Sequence, residues 1–349
     1  MEITLASYHT VMLRHGGPKT QILQTKKHLE KMGIQVRLLD FWDSRDEILK
    51  TDIFHLFGAS HGMYDLAGYL HSLDIPYVLS PIYFTRRSAG TVRKAVTLTK
   101  AAGQAVRGFM SVSSIMNDIC NWAIHIVPNT SAEAELIRDS FGIPEEKITV
   151  IPNGVESRFA HATPDLFVER YGIRDFILNV GHIGPDRKNV LSLIRAIKLC
   201  DRPAVIIGRI HPSEEANKCL AEAKKNPNIT IINGIDHDDP LLASAYAACK
   251  VFALPFKFET PGIAAMEAAL AGAKIVITPH GGTKDYFGDF AAYVDPYSEK
   301  AIAAGIQTAL DKPQDDTLKQ HIMANFLWKH SAKKTAEAYS RILQQPLPQ

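Results

Sequence analysis

Residues 251–277 read Val251-Phe252-Ala253-Leu254-Pro255-Phe256-Lys257-Phe258-Glu259-Thr260-Pro261-Gly262-Ile263-Ala264-Ala265-Met266-Glu267-Ala268-Ala269-Leu270-Ala271-Gly272-Ala273-Lys274-Ile275-Val276-Ile277. The apolar run Val251 to Leu254 is too short for a helix and reads as a buried strand. Pro261 and Gly262 mark a helix start, and Lys274 to Ile277 reads as the next strand. Strand, helix, strand is the repeating unit of a parallel sheet covered by helices, so the fold class is α/β.

The same alternation runs outward in both directions. Ahead of this unit, strands are expected near Phe176 to Val180, Ala204 to Gly208 and Ile229 to Ile232, and after it near Ala292 to Val294. The first half repeats the pattern near Ile3 to Ser7, Val36 to Phe41, Ile53 to Phe57, Tyr77 to Leu79, Ile124 to Val127 and Ile148 to Ile151. Two such sets predict two doubly wound domains, and 349 residues suffice for both at about 100–200 residues each. Asn153 to Arg174, with Pro152, Gly154, Pro164 and Gly172 in or beside it, reads as the linker. The expected domains are 1–160, joined by a terminal segment 330–349, and 161–329. In such sheets ligands bind beyond the carboxyl ends of the strands, so the strand-end loops are where function is expected.

Composition excludes several classes. Apolar residues at 46% with 22% charged are globular proportions, not those of a disordered chain. A net charge of +2 gives no nucleic-acid footprint. No charge-free stretch is long enough to cross a bilayer, and Met1-Glu2-Ile3-Thr4-Leu5 lacks the basic and apolar regions of a secretory signal, so a cytoplasmic location is expected. Cys120, Cys200, Cys219 and Cys249 show no CxxC spacing and read as reduced thiols.

Three strand-end segments carry the chemistry. Arg14-His15-Gly16-Gly17-Pro18-Lys19 precedes a helix with Ile22, Leu29 and Met32 on one face and Gly33 at its end. Two glycines at a helix start let an anion approach the free amides there. Gly181-His182-Ile183-Gly184-Pro185-Asp186-Arg187-Lys188-Asn189 follows a strand and places cations where a diphosphate could sit. In the third, Glu259 precedes a helix and Glu267 lies inside it, so both carboxylates can grip hydroxyls of one molecule with free amides between them. That combination suits a nucleotide sugar. Neither GxxxxGK[ST] nor GxGxxG occurs, so the usual ATP and dinucleotide loops are absent.

With these residues in place, the chain resembles the family-4 retaining glycosyltransferases, whose two Rossmann-like domains face each other across a cleft in the GT-B fold. The resemblance covers nearly the whole chain. It rests on Gly16-Gly17, Ile151-Pro152-Asn153-Gly154-Val155, the loop ending at Lys188, the pair Glu259 and Glu267 with seven residues between them, Gly281-Gly282, and Phe326-Leu327-Trp328 before a terminal helix. It implies that Glu259 holds the donor sugar, Glu267 the ribose and Lys188 the diphosphate, with Arg187 and Thr260 also at the donor. Backbone donors would come from Gly16, Gly17, Gly262 and Ile263, and Ile235 with Asp236 would lie at the base. His182 stands where the family usually has Arg, so a titratable cation replaces a permanent one. Ser80-Pro81 is followed by Ile82 and Tyr83 where the family often has a reacting-site His. The acceptor side is expected at His61, Ile82 and Tyr83, with His55 as a further candidate.

The implied donor is a UDP- or GDP-type nucleotide sugar and the acceptor a saccharide or lipid-linked molecule. No cofactor and no metal are expected, because no Asp-x-Asp pair is read as a metal motif and Lys188 with helix N-termini can neutralise the diphosphate. A non-catalytic nucleotide-sugar-binding protein and a nucleotide-sugar epimerase remain open on the same scaffold. Finally, Arg86, Arg87, Arg93, Lys94, Lys100 and Arg107 fall in a stretch with no acid between Asp74 and Asp118. This basic run fits an anionic membrane surface, with Arg86, Arg87, Arg93 and Lys94 as its contacts, or a solvated face.

Overall fold

The computed structural model describes residues 1–13, 16–106 and 108–344. Arg14, His15, Arg107 and the last five residues of the expected terminal segment lie outside that set. The chain divides into two compact units, Met1–Gly154 with Trp328–Gln349, and Val155–Leu327. The division therefore falls at 154/155 and 327/328, not at 160/161 and 329/330.

The first unit holds β1 (Glu2–Ser7), β2 (Gln35–Leu38), β3 (Ile53–Phe57), β4 (Tyr77–Ser80) and β5 (His125–Ile126). They form a parallel sheet in the order β2-β1-β3-β4-β5. The second unit holds β6 (Phe176–Val180), β7 (Ala204–Ile207), β8 (Ile229–Ile232), β9 (Cys249–Leu254), β10 (Lys274–Ile277) and β11 (Ala292–Tyr293), ordered β11-β10-β9-β6-β7-β8 and also parallel. Each order reverses direction once, between β1 and β3 in the first sheet and between β6 and β9 in the second.

Strand periodicity explains why both faces of each sheet are covered. On β9, Phe252 and Leu254 join one buried cluster with Tyr246, Met266 and Phe287, while Val251 and Ala253 join another with Ile302 and Ile306. In the first unit, Phe54, Leu56 and Leu79 pack on one face, and Ile3, Leu5, Ile53 and Val78 on the other. The terminal helix Trp328–Leu343 closes this second face of the first unit, burying Ala332, Ala336 and Tyr339 and lying along the helix Gly17–Glu30. Its Tyr339 hydroxyl meets His55 Nδ1 at 2.5 Å, and His55 Nε2 meets Ser80 Oγ at 2.9 Å. Full burial pushes the His55 imidazole down to about 3, so the ring is neutral and structural rather than part of an acceptor site.

Two expectations fail here. Ile148 to Ile151 is not a strand, since it meets the sheet at a single bridge, Ile126 to Ile148. The 153–174 segment is not a free linker either. Val155 donates its amide to Phe326 O at 2.8 Å, and the helix Asp165–Tyr171 seats the fully buried Phe167 against Phe176. Among the described residues no helix is long and apolar enough to cross a membrane.

Candidate functional site

In the second unit the loops after β6 and β9, at the reversal of strand order, are tied together. Asn189, with φ 52°, donates its side-chain amide to Pro255 O at 2.8 Å and Pro296 O at 2.7 Å, and Lys257 N donates to Arg187 O at 3.0 Å. This brings Arg187, Lys188 and Glu259 together. Arg187 Nη1 and Lys188 Nζ lie 3.4 Å and 3.5 Å from Glu259 Oε2. Lys188 sits over the Phe256 ring at 4.0 Å, and its side chain is only 15% exposed. Burial holds its ammonium below the ordinary lysine range, with Glu259 drawing it back up. Two cations thus share one carboxylate, a local excess of positive charge in a partly desolvated place where an anion gains most.

Glu259 is held in its own right. Its amide donates to His280 O at 2.9 Å, and Thr260 N donates to its Oε1 at 3.2 Å. Gly281 lies so close behind that a Cβ there would stand 2.3 Å from Glu259 O, and its φ of 103° is itself a glycine conformation. Gly262 begins the helix Ile263–Leu270 from the left-handed region, at φ 65° and ψ 48°, and the alanine-rich sequence that follows favours helix. Ala265 N and Met266 N both donate to Gly262 O, so the amides left as donors at this helix start are those of Ile263 and Ala264.

Glu267, one face further along this helix, has a side chain only 5% exposed. Its Oε1 is 2.8 Å from His237 Nε2, and its Oε2 accepts from the Tyr246 hydroxyl at 2.8 Å. His237 is in turn held by Arg158, whose Nη2 reaches His237 O at 2.6 Å and Nδ1 at 3.3 Å. None of His237, Tyr246 or Arg158 was singled out from the sequence, because they come from the loop after β8, the helix Pro240–Ala248 and the supposed linker. One ground for expecting no metal, the lack of an Asp-x-Asp pair, does not hold: Asp236-His237-Asp238 has that spacing, and Glu156, His237 and Asp238 bring ligand-type atoms within 4.8 Å of one another. Arg158 lies 3.3 Å from Glu156 and 3.7 Å from Asp238, so a guanidinium already supplies positive charge to this group. Asp236 instead meets Arg209 at 3.3 Å, next to the half-buried Ile235.

His182 lies at the end of β6, half-buried, with its Nδ1 3.1 Å from His211 Nε2 and the two rings edge to face. His211 is a second partner that sequence reading did not find.

In the first unit the corresponding reversal, between β1 and β3, opens a cavity of about 440 Å³. Tyr8, His9 and Thr10 after β1, Gly58 and Ser60 after β3, Ile82 after β4, and Pro18 at the helix start are among its lining. Of the three expected acceptor residues, only Ile82 lines this cavity. His61 begins the next helix with an exposed side chain, and Tyr83 is buried in the core against Phe141. Gly16 and Gly17 stand beside Pro18, Gly16 as the N-cap and Gly17 as the first residue of the helix Gly17–Glu30.

Ile82 has φ 51°, a left-handed conformation that a β-branched residue rarely adopts. Next to it, Tyr83 N donates to Glu133 Oε1 at 2.6 Å, and Asn129 N donates to Oε2 at 2.7 Å. Glu133 is 2% exposed, and burial pushes its carboxyl up to about 7 against those backbone donors. The signal for it was present, since Thr130-Ser131-Ala132-Glu133 has capping-box spacing and Thr130 Oγ1 does accept from Glu133 N.

Within the basic run one cation is paired with an acid and another is held by a main-chain oxygen. Lys100 pairs with Asp118 at 3.1 Å, and Arg93 donates to Asp139 O, while Arg86, Arg87 and Lys94 stay exposed. Leu98, Val106, Phe109 and Val112, in or after the helix Ala89–Ala105, are more than half exposed.

Comparison with known proteins agrees with this geometry. A family model described as Glycosyltransferase Family 4 matches residues 45–159, and one described as Glycosyl transferases group 1 matches 168–325. The chain is 24% identical over 229 residues to an MMP alpha-(1->4)-mannosyltransferase of Mycolicibacterium hassiacum, covering 61% of this chain and 53% of that one. It thus spans about half the length of that relative. Among solved structures, a sucrose-phosphate synthase of Thermosynechococcus elongatus superposes with a TM-score of 0.77 at 18% identity over 99% of both chains. HepE of Anabaena, solved with UDP-glucose, gives 0.70 at 15% identity, covering 98% of this chain and 100% of that one. Two parallel doubly wound units, the two matched domains and these likenesses place the chain in the family-4, GT-B class of glycosyltransferases.

Proposed function

We propose that this chain is a retaining glycosyltransferase that moves a sugar from a UDP- or GDP-type nucleotide sugar to a saccharide or lipid-linked acceptor, in the making of a cell-surface polysaccharide or glycoconjugate. The observation that carries the reading is the grouping of Arg187, Lys188 and Glu259 at the β6 and β9 strand ends, ahead of the helix that carries Glu267. In this reading Lys188 and Arg187 bind the diphosphate, helped by the free amides at Ile263. Glu267 accepts ribose hydroxyls and Glu259 accepts hydroxyls of the donor sugar. Ile235 lies at the base.

As the bond from the anomeric carbon to the phosphate oxygen breaks, its electron pair passes to the diphosphate, while the acceptor hydroxyl oxygen bonds to the anomeric carbon and its proton passes to the departing phosphate oxygen. Lys188, short of counter-charge in its partly buried place, is suited to meet that charge, so rate comes from position and electrostatics. These cations take the place of a metal ion, and no cofactor is called for. His182, paired with His211 at 3.1 Å, lies at the same strand end, beside the two cations.

The acceptor enters at the cavity beside Ile82 in the first unit. UDP-glucose, GDP-mannose and related donors incubated with candidate acceptors should release nucleoside diphosphate only when an acceptor is present. Release without acceptor, with the sugar isomerised, would favour an epimerase, and tight binding without any release would favour a binding protein.

The exposed Arg86, Arg87 and Lys94, with Arg93 beside them, adjoin in sequence the exposed Leu98, Val106, Phe109 and Val112, and this supports peripheral attachment to an anionic membrane face from the cytoplasm. The protein should sediment with anionic vesicles at low salt and leave them as salt rises, since the screening length falls to about 8 Å at physiological strength. Equal sedimentation with neutral vesicles would reject this role for the cations.

A further inference from the structure

We infer that His237 is a positioning residue for Glu267, whose charge sets how firmly the site grips a nucleoside diphosphate. The inference rests on the reading of Glu267 as the ribose acceptor. Glu267 is almost wholly buried, and each of its oxygens already accepts one hydrogen bond, from His237 Nε2 and from the Tyr246 hydroxyl, both at 2.8 Å. A carboxylate oxygen accepts a second bond, so both remain able to take a hydroxyl while their direction is fixed.

The imidazole is itself fixed. Arg158 Nη2 donates to its main-chain oxygen at 2.6 Å and can donate to Nδ1 only while the ring is neutral, the protonated Nδ1–H having Asp238 Oδ1 at 3.3 Å as its acceptor, and the Phe159 ring packs edge-on at 5.8 Å. The charged groups facing the ring are Glu267 from the helix Ile263–Leu270, Glu156 at 3.8 Å and Arg158 from the segment around Ser157–His161, and Asp238 at 3.3 Å from its own loop. Tyr246, from the helix Pro240–Ala248, reaches it only through Glu267.

The hydrogen bond to Glu267 raises the imidazole to about 8, with Glu156 adding to it, against burial and the Arg158 guanidinium. Below that pH the ring is an imidazolium and its bond to the Glu267 carboxylate joins two full charges, where above it only the carboxylate is charged. Above it, the ring can keep Nε2–H on Glu267 while Nδ1 accepts from Arg158. The hydrogen bond survives, but the positive charge next to an anion-binding site is lost. Affinity for a nucleoside diphosphate should therefore be highest below pH 8 and fall as pH rises through it.

The test is calorimetry of UDP and GDP between pH 7 and 9 on the parent, His237→Gln, His237→Phe and Glu267→Ala. The parent should lose about threefold to tenfold in affinity for its preferred nucleotide across that range. His237→Gln, which keeps an N–H donor but cannot titrate, should give a flat profile, and His237→Phe a flat and weaker one. A flat parent profile, or a decline that persists in His237→Gln while Glu267→Ala weakens binding, would overturn the role of His237 alone. Unchanged affinity in Glu267→Ala, or no binding of either nucleotide by the parent, would overturn the ribose reading and this inference with it.

Discussion

The two units place their strand-order reversals at equivalent points and fill them with opposite chemistry. After β6 and β9, the second unit presents Arg187 and Lys188 each within 3.5 Å of Glu259, with Glu267 in the helix that follows. After β1 and β3, the first unit presents a cavity of about 440 Å³, lined by Tyr8, His9, Thr10, Pro18, Ser60 and Ile82 among others, and the one buried acid among its described residues, Glu133, is turned into the backbone beside Ile82. The topology supplies a crevice in both cases. What a crevice binds depends on whether its loops deliver charge or shape.

The sharpest way to break this contrast is to remove charge from the second unit. Lys188→Ala should lower turnover by about 10²–10³ with a smaller change in donor KM, as expected for a donor acting on developing charge. Arg187→Ala should have a weaker effect, because that side chain is 38% exposed and solvent screens it. Equal losses in steady-state kinetics would show that the two cations share the load and that burial does not rank them. Glu267→Ala should weaken nucleotide binding by about 1.5–3 kcal/mol, the loss expected when a buried acceptor of hydroxyl bonds is deleted. Calorimetry giving unchanged affinity would remove Glu267 from the site.

The first unit's contribution should appear as stability rather than affinity. The Glu133 carboxyl, ordinarily near 4.5, is raised to about 7 in the folded chain, so the folded state holds its proton longer than the unfolded state. Its contribution is complete below pH 4.5 and is lost as pH rises toward 7, by about 2–3 kcal/mol if burial dominates. Denaturant unfolding of the parent and Glu133→Gln at pH 4.5 and 7 should show the parent losing more between the two. Parallel losses would mean that the amides of Tyr83 and Asn129 hold the group ionised throughout.

The same contrast explains what could be read from the sequence. Charge clusters that come from one continuous segment were legible: Glu259 and Glu267 flank a helix start, and Arg187-Lys188 follows a strand. The partners of Glu267 were not, because Arg158, His237 and Tyr246 meet only when three separate elements pack, and a lone loop His carries no periodicity. The acceptor expectation at Tyr83 failed because alternation cannot tell a loop aromatic that faces a cavity from one that caps the core. Ile148 to Ile151 has the composition of a strand, but a single bridge to Ile126 does not make it one. The linker reading at 153–174 rested on Pro and Gly content, and Phe167 shows that those residues punctuate a packed segment.

The wall behind Glu259 also has a genetic consequence. At Gly281 even a single methyl would meet the Glu259 carbonyl at 2.3 Å, and the backbone angle there disfavours every other residue. Single-nucleotide changes at a glycine codon introduce residues such as Ala, Val, Ser, Asp or Arg, and each would displace the same main-chain segment. In a saturation library scored by growth or product, alleles at 281 should therefore cluster with those at 259, although the Gly281 side has no chemistry to lose. A position without a functional group would then report, by its intolerance, how narrowly its neighbour must be placed.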